Sequence, residues 1–177
     1  MEQPSQIKVY QPLLILAGAV LFIFWLINSF NTGNMLWFLP IQPEYEPSRI
    51  IIRHEGTAVT IQRGDPEYEM LSDALNETYS AFSNTDLISI GLSDETLRRY
   101  NEEETVIESY YANDIQFNTS VRMNGVTQLL MPIEGTHADR NYVFFGQSGV
   151  WRVGAFVVRD SMPIRQALAD LGYIDPS

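Results

Sequence analysis

The run from Val9 to Pro43 carries no charged residue, and within it Leu13 to Ile27 is unbroken apolar sequence. A helix needs about 20 mostly apolar residues to cross the hydrocarbon layer of a bilayer. Val9 to Phe30 supplies them, with Gln11, Pro12, Asn28 and Ser29 as the polar or proline positions. A cleavable signal peptide would show a more basic start and a small-x-small site after the apolar core, whereas Asn28 to Asn34 contains no such pattern. The buried helix of a soluble domain would place polar residues at a 3.6-residue period, yet Leu13 to Ile27 is apolar all round. The expectation is therefore a membrane anchor, with the lipid bilayer as its first partner. Tyr10, Trp25 and Trp37 are the candidate interface residues, because an amphipathic ring at headgroup level keeps one edge wet.

Lys8 precedes the run, and the next basic residues are Arg49 and Arg53. Basic charge next to a span stays cytoplasmic, so the expected topology is a cytoplasmic N-terminus and an extracytoplasmic C-terminal domain in the cell membrane. The expected divisions are a tail over 1–9, a transmembrane helix over 10–30, a juxtamembrane segment and Pro-rich stalk over 31–48, and a domain over 49–177. Pro40, Pro43 and Pro47 favour an extended backbone. At about 3.1 Å per residue such a stretch would reach roughly 25 Å.

Of 22 acidic residues 21 follow the span, against 10 of the 11 basic ones, so this part carries the whole formal charge of −11. Phosphates and anionic headgroups repel such a surface, which excludes nucleic acid as a partner. The chain has no cysteine, hence no disulfide framework, thiolate nucleophile or sulfur-ligated metal.

The domain reads as α+β with a mainly antiparallel sheet and two or three helices. Arg49 to Arg53 and Thr57 to Ile61 flank His54-Glu-Gly56 as a hairpin. Asp65-Pro66 has the form of a helix N-cap and first turn, and Tyr68, Leu71, Leu75, Tyr79 and Phe82 follow as one stripe. That pattern predicts a helix over 66–82. Asp86 to Ile90 reads as a short strand, Ser93 as the cap of a second helix reaching Glu103, and Thr105 to Tyr111 as a strand. Ile115, Phe117, Thr119, Val121 and Met123 alternate with polar residues, predicting a half-buried strand. Asn124-Gly125 would turn it back into Val126 to Ile133, with Met123 facing Val126 and Val121 facing Gln128. Asn141 to Phe145 and Val150 to Val158, both apolar on two faces, predict a hairpin at the centre of the sheet. Ser161 would cap a last helix that Gly172 ends.

Chemistry has few places to reside. His54 and His137 are the only histidines, so any triad or zinc site must use one of them. Exposed turn histidines without a partner are the commoner case, and no metal or cofactor is expected. Gly146-Gln-Ser148-Gly149 lacks the final glycine of a nucleophile elbow and sits between strands, so it reads as a turn. Asp94-Glu95 and Glu102-Glu-Glu104 lack the calcium-loop pattern and suit helix ends. Among the arginines, Arg152 and Arg159 lie in or beside apolar runs. Burial there would demand a carboxylate or an anionic ligand, which makes Arg152, Arg159, His54 and His137 the candidate ligand-binding residues. The functional expectation is a non-enzymatic interaction or assembly module engaging a membrane or extracytoplasmic protein. The alternatives are a membrane-tethered hydrolase using His137 with Asp139 or Ser148, and an accessory subunit of a membrane complex.

Overall fold

The computed structural model describes residues 10–33, 35–39, 42–83, 87–117, 119 and 124–175. Helix α1, Tyr10–Thr32, is long and apolar enough to cross a membrane, and none of its most apolar window is buried against the rest of the chain. Ile15 is 74% exposed and Leu14 66%, a surface that water would not tolerate cheaply. At about 1.5 Å per residue the 23 residues extend roughly 34 Å.

Six strands form one sheet in the order β2-β1-β3-β4-β5-β6, every pair antiparallel. They are β1 Arg49–His54, β2 Thr57–Gln62, β3 Thr105–Tyr110, β4 Gln128–Glu134, β5 Tyr142–Gln147 and β6 Val150–Val157. The class is α+β, as the succession of strands framed by helices implied. Helices α2, Tyr68–Thr78, and α4, Met162–Asp170, lie side by side on one face. Their Tyr68, Leu71, Leu75, Ile164 and Leu168 close over Ile50, Ile52, Ile107, Leu129, Met131 and Phe156. Helix α3, Asp94–Glu102, covers part of the other face, where Tyr100 packs with Val106, Leu130, Phe144 and Ala155.

Local chemistry explains the boundaries. The helix predicted over 66–82 is shorter because Asp65 does not cap it. Its Oδ2 turns back to accept from the Gln62 N–H at 2.7 Å, and the cap position falls to Glu67 without a side-chain bond. Ser93 does cap α3, its Oγ accepting from the Thr96 N–H at 3.1 Å. Ser161 occupies the α4 cap position, but its Oγ takes a bond from Arg165 Nε and Asp160 Oδ1 receives the Met162 N–H instead. Gly172, at φ +78°, follows the end of α4 as expected.

Three strand expectations change. Asp86 lies outside the described residues, and Ile88 makes an isolated bridge to Ala155 rather than a strand. Ile115, Phe117 and Thr119 are buried in alternation, yet no strand forms over 115–117. The Ile115 N–H reaches Val126 O, but the carbonyl of Phe117, the next residue on that side, accepts from the Thr119 N–H at 2.9 Å, so the ladder goes no further. Val121 to Met123, with the cross-strand pairs expected of them, lie outside the described residues. The β5–β6 hairpin forms around Ser148 and Gly149, whose φ of +51° and +83° suits a two-residue type I′ turn. It is not central: β6 is an outer strand of the sheet.

Residues 42–47 have irregular backbone and lie against the domain. Tyr45 packs edge-on against Tyr111 and Phe117, its N–H donates to Asn76 Oδ1, and the buried Pro47 carbonyl accepts from the Tyr68 hydroxyl at 2.6 Å. Gln116 Nε2 lies 3.5 Å from Thr32 O, so the end of α1 abuts the domain at Gln116.

Candidate functional site

Antiparallel pairing brings the end of β1, the start of β3 and the end of β4 to one end of the sheet. His54, Thr105 and Glu134 therefore meet there. Thr105 Oγ1 donates to Glu134 Oε2 at 2.6 Å and lies 2.9 Å from His54 Nδ1. A hydroxyl has one proton, already given to Glu134, so His54 Nδ1 is the donor in its contact with Thr105. His54 Nε2 stands 4.0 Å from Glu55 Oε2.

The adjacent Glu104, buried at the exit of α3, clamps the turn after β4. Its carboxylate accepts from the Thr136 N–H at 2.7 Å and the Thr136 hydroxyl at 2.8 Å, and pairs with Arg99 Nη2 at 2.5 Å. Gly135, at φ +90°, must be glycine here, because a Cβ would come within 2.4 Å of Glu104 Cδ. Tyr100 donates its hydroxyl to Thr136 O and contacts His137 Nδ1 at 2.9 Å. His137 packs against the rings of Tyr142 and Phe144. Desolvation there holds its imidazole below the ordinary histidine value, while Glu104 and Asp139 pull more weakly the other way. Burial, then the charge of Glu104, raises the Tyr100 hydroxyl.

The opposite end of the sheet holds an open groove of about 500 Å³ between the start of β1, the start of β4 and the Ser148-Gly149 turn. The Arg49 guanidinium lies 4.2 Å over the Tyr110 ring, and Glu108 accepts from the Tyr110 hydroxyl at 2.6 Å and from Arg53 Nε at 2.7 Å. Burial and the Glu108 carboxylate push Tyr110 upward. Gln128 is 1% exposed; its Oε1 accepts from the Gly149 N–H, and its Nε2 has no hydrogen-bond partner among the described residues.

The expected ligand residues divide between these two ends. His54 and His137 sit at the clamp, on either side of the Glu104-Thr105 step. Arg159 follows β6 at the same end, exposed, with its backbone N–H on Ala81 O. Arg152 belongs to the other end, where Nη1 donates to Asn124 O at 2.6 Å and Nη2 to Gln147 Oε1 at 2.5 Å. Neither arginine is buried, because an outer strand leaves its polar side chains to solvent. His137 and Ser148 stand beyond opposite ends of β5, a six-residue strand of roughly 20 Å, too far apart to act on one bond. Asp139 is exposed and paired with Arg140.

The carboxylates that flank α3 are held by arginine. Arg98 donates to Glu95, Glu102 and Glu103. Among the described residues no three histidine, aspartate or glutamate side chains converge as metal ligands.

At the end of α1, Trp25 and Trp37 both take part in the contact between the helix and the 35–39 turn. Trp25 Nε1 donates to Met35 O at 3.0 Å, and Trp37 packs edge-on against Phe24, so the 35–39 turn folds back onto the helix. Tyr10 begins the helix at the other end, about 22 Å along the axis from Trp25.

Glu104, Arg49 and Gln128 were not legible as site residues. Gln128 shares the two-residue period of Leu130, but no pattern marks a glutamine as buried rather than solvated. No family model, curated protein or solved structure matches this chain.

Proposed function

We propose that the chain is a single-pass membrane-anchored protein whose acidic α+β domain serves as a non-enzymatic interaction or assembly module on the extracytoplasmic side. The observation that carries this is the exposed apolar surface of α1: none of its most apolar window is buried, and Leu13 to Phe24 stay exposed even where Phe24 meets Trp37. Lipid is the solvent that suits them. Lys8 before the helix, with no Lys or Arg after it until Arg49, supports a cytoplasmic N-terminus.

The interaction role draws support from how the chemical groups are employed. At the clamp, Glu104 and Thr105 are engaged with one another's neighbours, an arrangement that fixes a turn rather than exposing a nucleophile. The hydrolase alternative loses its pairing of His137 with Ser148 to the length of β5. Cell breakage without detergent, followed by alkaline carbonate, tests the anchor: the intact chain is expected in the membrane pellet, and an intact chain in the supernatant overturns it. Purification in mild detergent tests the module, since a chain that never carries another molecule or copy of itself counts against it.

A further inference from the structure

The outer edge of β2 has bonding capacity that the rest of the chain does not use. In an antiparallel strand the N–H and C=O of one residue point the same way, and successive residues alternate. The Gln62 N–H is held by Asp65 Oδ2 and the Gln62 carbonyl accepts from the Asp65 N–H, so Gln62 faces away from β1. By the same alternation Thr60 and Ala58 also face away. Thr57, Val59 and Ile61 bond inward, which matches the tight turn at Glu55-Gly56 closing on the His54–Thr57 pair. Among the described residues, the outward backbone groups of Ala58 and Thr60 meet no other main chain.

The strand also lacks the usual guards of an edge. Thr57–Gln62 holds no lysine, no proline and no charge, and its pairing with β1 has no bulge. In a chain of net charge −11 an uncharged edge is the place where two copies meet with least repulsion.

We propose that β2 pairs antiparallel with β2 of a second copy of this chain about a two-fold axis at Val59, continuing the sheet across the interface. This register alone lets both outward residues bond fully. Ala58 exchanges N–H and C=O bonds with Thr60 of the second copy, and Thr60 does so with Ala58 of that copy. Shifting it by two residues brings Gln62, already tied to Asp65, into the ladder. The charges flanking the strand agree with the same register: Glu55, 79% exposed, falls opposite Arg63 of the second copy at each end, and Arg63, 66% exposed and paired with Glu46 in its own chain, would share its guanidinium between Glu46 and Glu55. The proposal rests on the sheet edge and not on the anchor, so either can fail without the other.

The chain's lack of cysteine gives a clean test in the full-length protein, in mild detergent and in vesicles. At the axis Val59 meets its own counterpart in a pair that exchanges no hydrogen bond, where Cα atoms stand about 4.5 Å apart, within disulfide range. Val59→Cys is expected to cross-link to a dimer under mild oxidation at least about tenfold more than Ala58→Cys, whose counterpart is two residues out of register. Thr60→Pro removes an outward N–H and leaves the β1 ladder intact, so it should abolish the dimer in the cysteine-free chain while the unfolding midpoint stays close to that of the parent. A parent that is monomeric at all concentrations overturns the proposal. So does a dimer that persists in Thr60→Pro, a cross-link favouring Ala58, or a different protein occupying the edge in place of the second copy. A membrane-bound monomer would overturn this inference and leave the anchor standing; a dimer that extracts without detergent would do the reverse.

Discussion

Strands β6 and β2 both end the sheet, yet the chain returns to bond with one of them and leaves most of the other bare. Along β6 and just beyond it, the Ser83 N–H reaches Val157 O, Ile88 exchanges bonds with Ala155, the Gly154 N–H reaches Ile90 O, and the Arg159 N–H reaches Ala81 O. Phe82 bridges to Val158, and its ring lies 5.1 Å from Phe156 and 5.2 Å from Phe117. Two lengths of irregular chain thus stand in for a seventh strand. Along β2, among the described residues, only the Asp65 turn closes a single position. An edge closed by the chain's own backbone can be apolar without hazard, whereas an open one is available to another molecule.

The largest test of this contrast lies at Gly154. The ladder between β5 and β6 shifts register there, and Gly154 takes φ +125° so that its N–H turns outward to Ile90. A Cβ would stand 3.1 Å from Leu87 Cδ1 and 3.3 Å from the Phe145 ring. Gly154→Val combines backbone strain with overpacking and is expected to cost about 3 kcal/mol in urea unfolding. Amide exchange at Ile88 and Gly154 should accelerate ahead of β1 and β2. If all strands loosen together, the covering chain is not a separate layer.

Phe82→Ala probes the same cover without backbone strain. The ring is half-buried, so the expected loss is about 2 kcal/mol, below that of a fully buried phenylalanine. The matched change on the bare edge, Thr60→Ala, removes an exposed side chain and should move stability by less than about 0.5 kcal/mol. Equal losses at the two positions would erase the distinction.

This contrast also explains what the sequence could and could not tell. Periodicity located α2 through Tyr68, Leu71, Leu75 and Tyr79, because a helix face buried against a sheet repeats at three and four residues whatever the fold around it. The hairpin around Glu55-Gly56 and the cap at Ser93 were equally local. The apolar residues of β5 and β6 suggested a central position, but burial on both faces says nothing about which neighbour provides it. Here residues 81–83 and 88–90, distant in sequence, supply the cover on β6. Of the strand expected over Ile115 to Met123, the described part keeps its alternation of burial but not its ladder, because the Thr119 N–H turns back onto the Phe117 carbonyl that a partner strand would need. The clamp at Glu104 was hidden because a run of three glutamates looks solvated. One of the three turns inward only because Gly135 leaves it room.

Asp65→Ala asks how much the single closed position on the bare edge contributes. Its carboxylate holds the Gln62 N–H at an exposed site where water can replace it, so a loss of about 1 kcal/mol is expected. Exchange of the Gln62 amide should quicken while that of Val59, bonded to β1, stays slow. A loss confined to Gln62 identifies Asp65 as a local cap; a loss spreading through β2 would make it a support for the whole strand.

Acid gives the gentlest probe, because His137 lies on neither edge strand. His137 lies at the connection between β4 and β5, desolvated between Tyr142 and Phe144, and its proton affinity is lower in the folded chain than in the unfolded one. As pH falls from about 7.5 to about 5.5 the unfolded imidazole takes up its proton first, so stability present above the ordinary histidine value is lost toward acid. Exposed carboxylates stay ionised in that window and add little slope of their own. His137→Gln should flatten the dependence of the urea midpoint on pH. In the parent, acid should speed amide exchange around Thr136 and Tyr142 before it reaches β2 or β6. A slope unchanged in His137→Gln would assign the acid sensitivity elsewhere, and a first response at either edge would mean that the clamp and the edges share one cooperative unit.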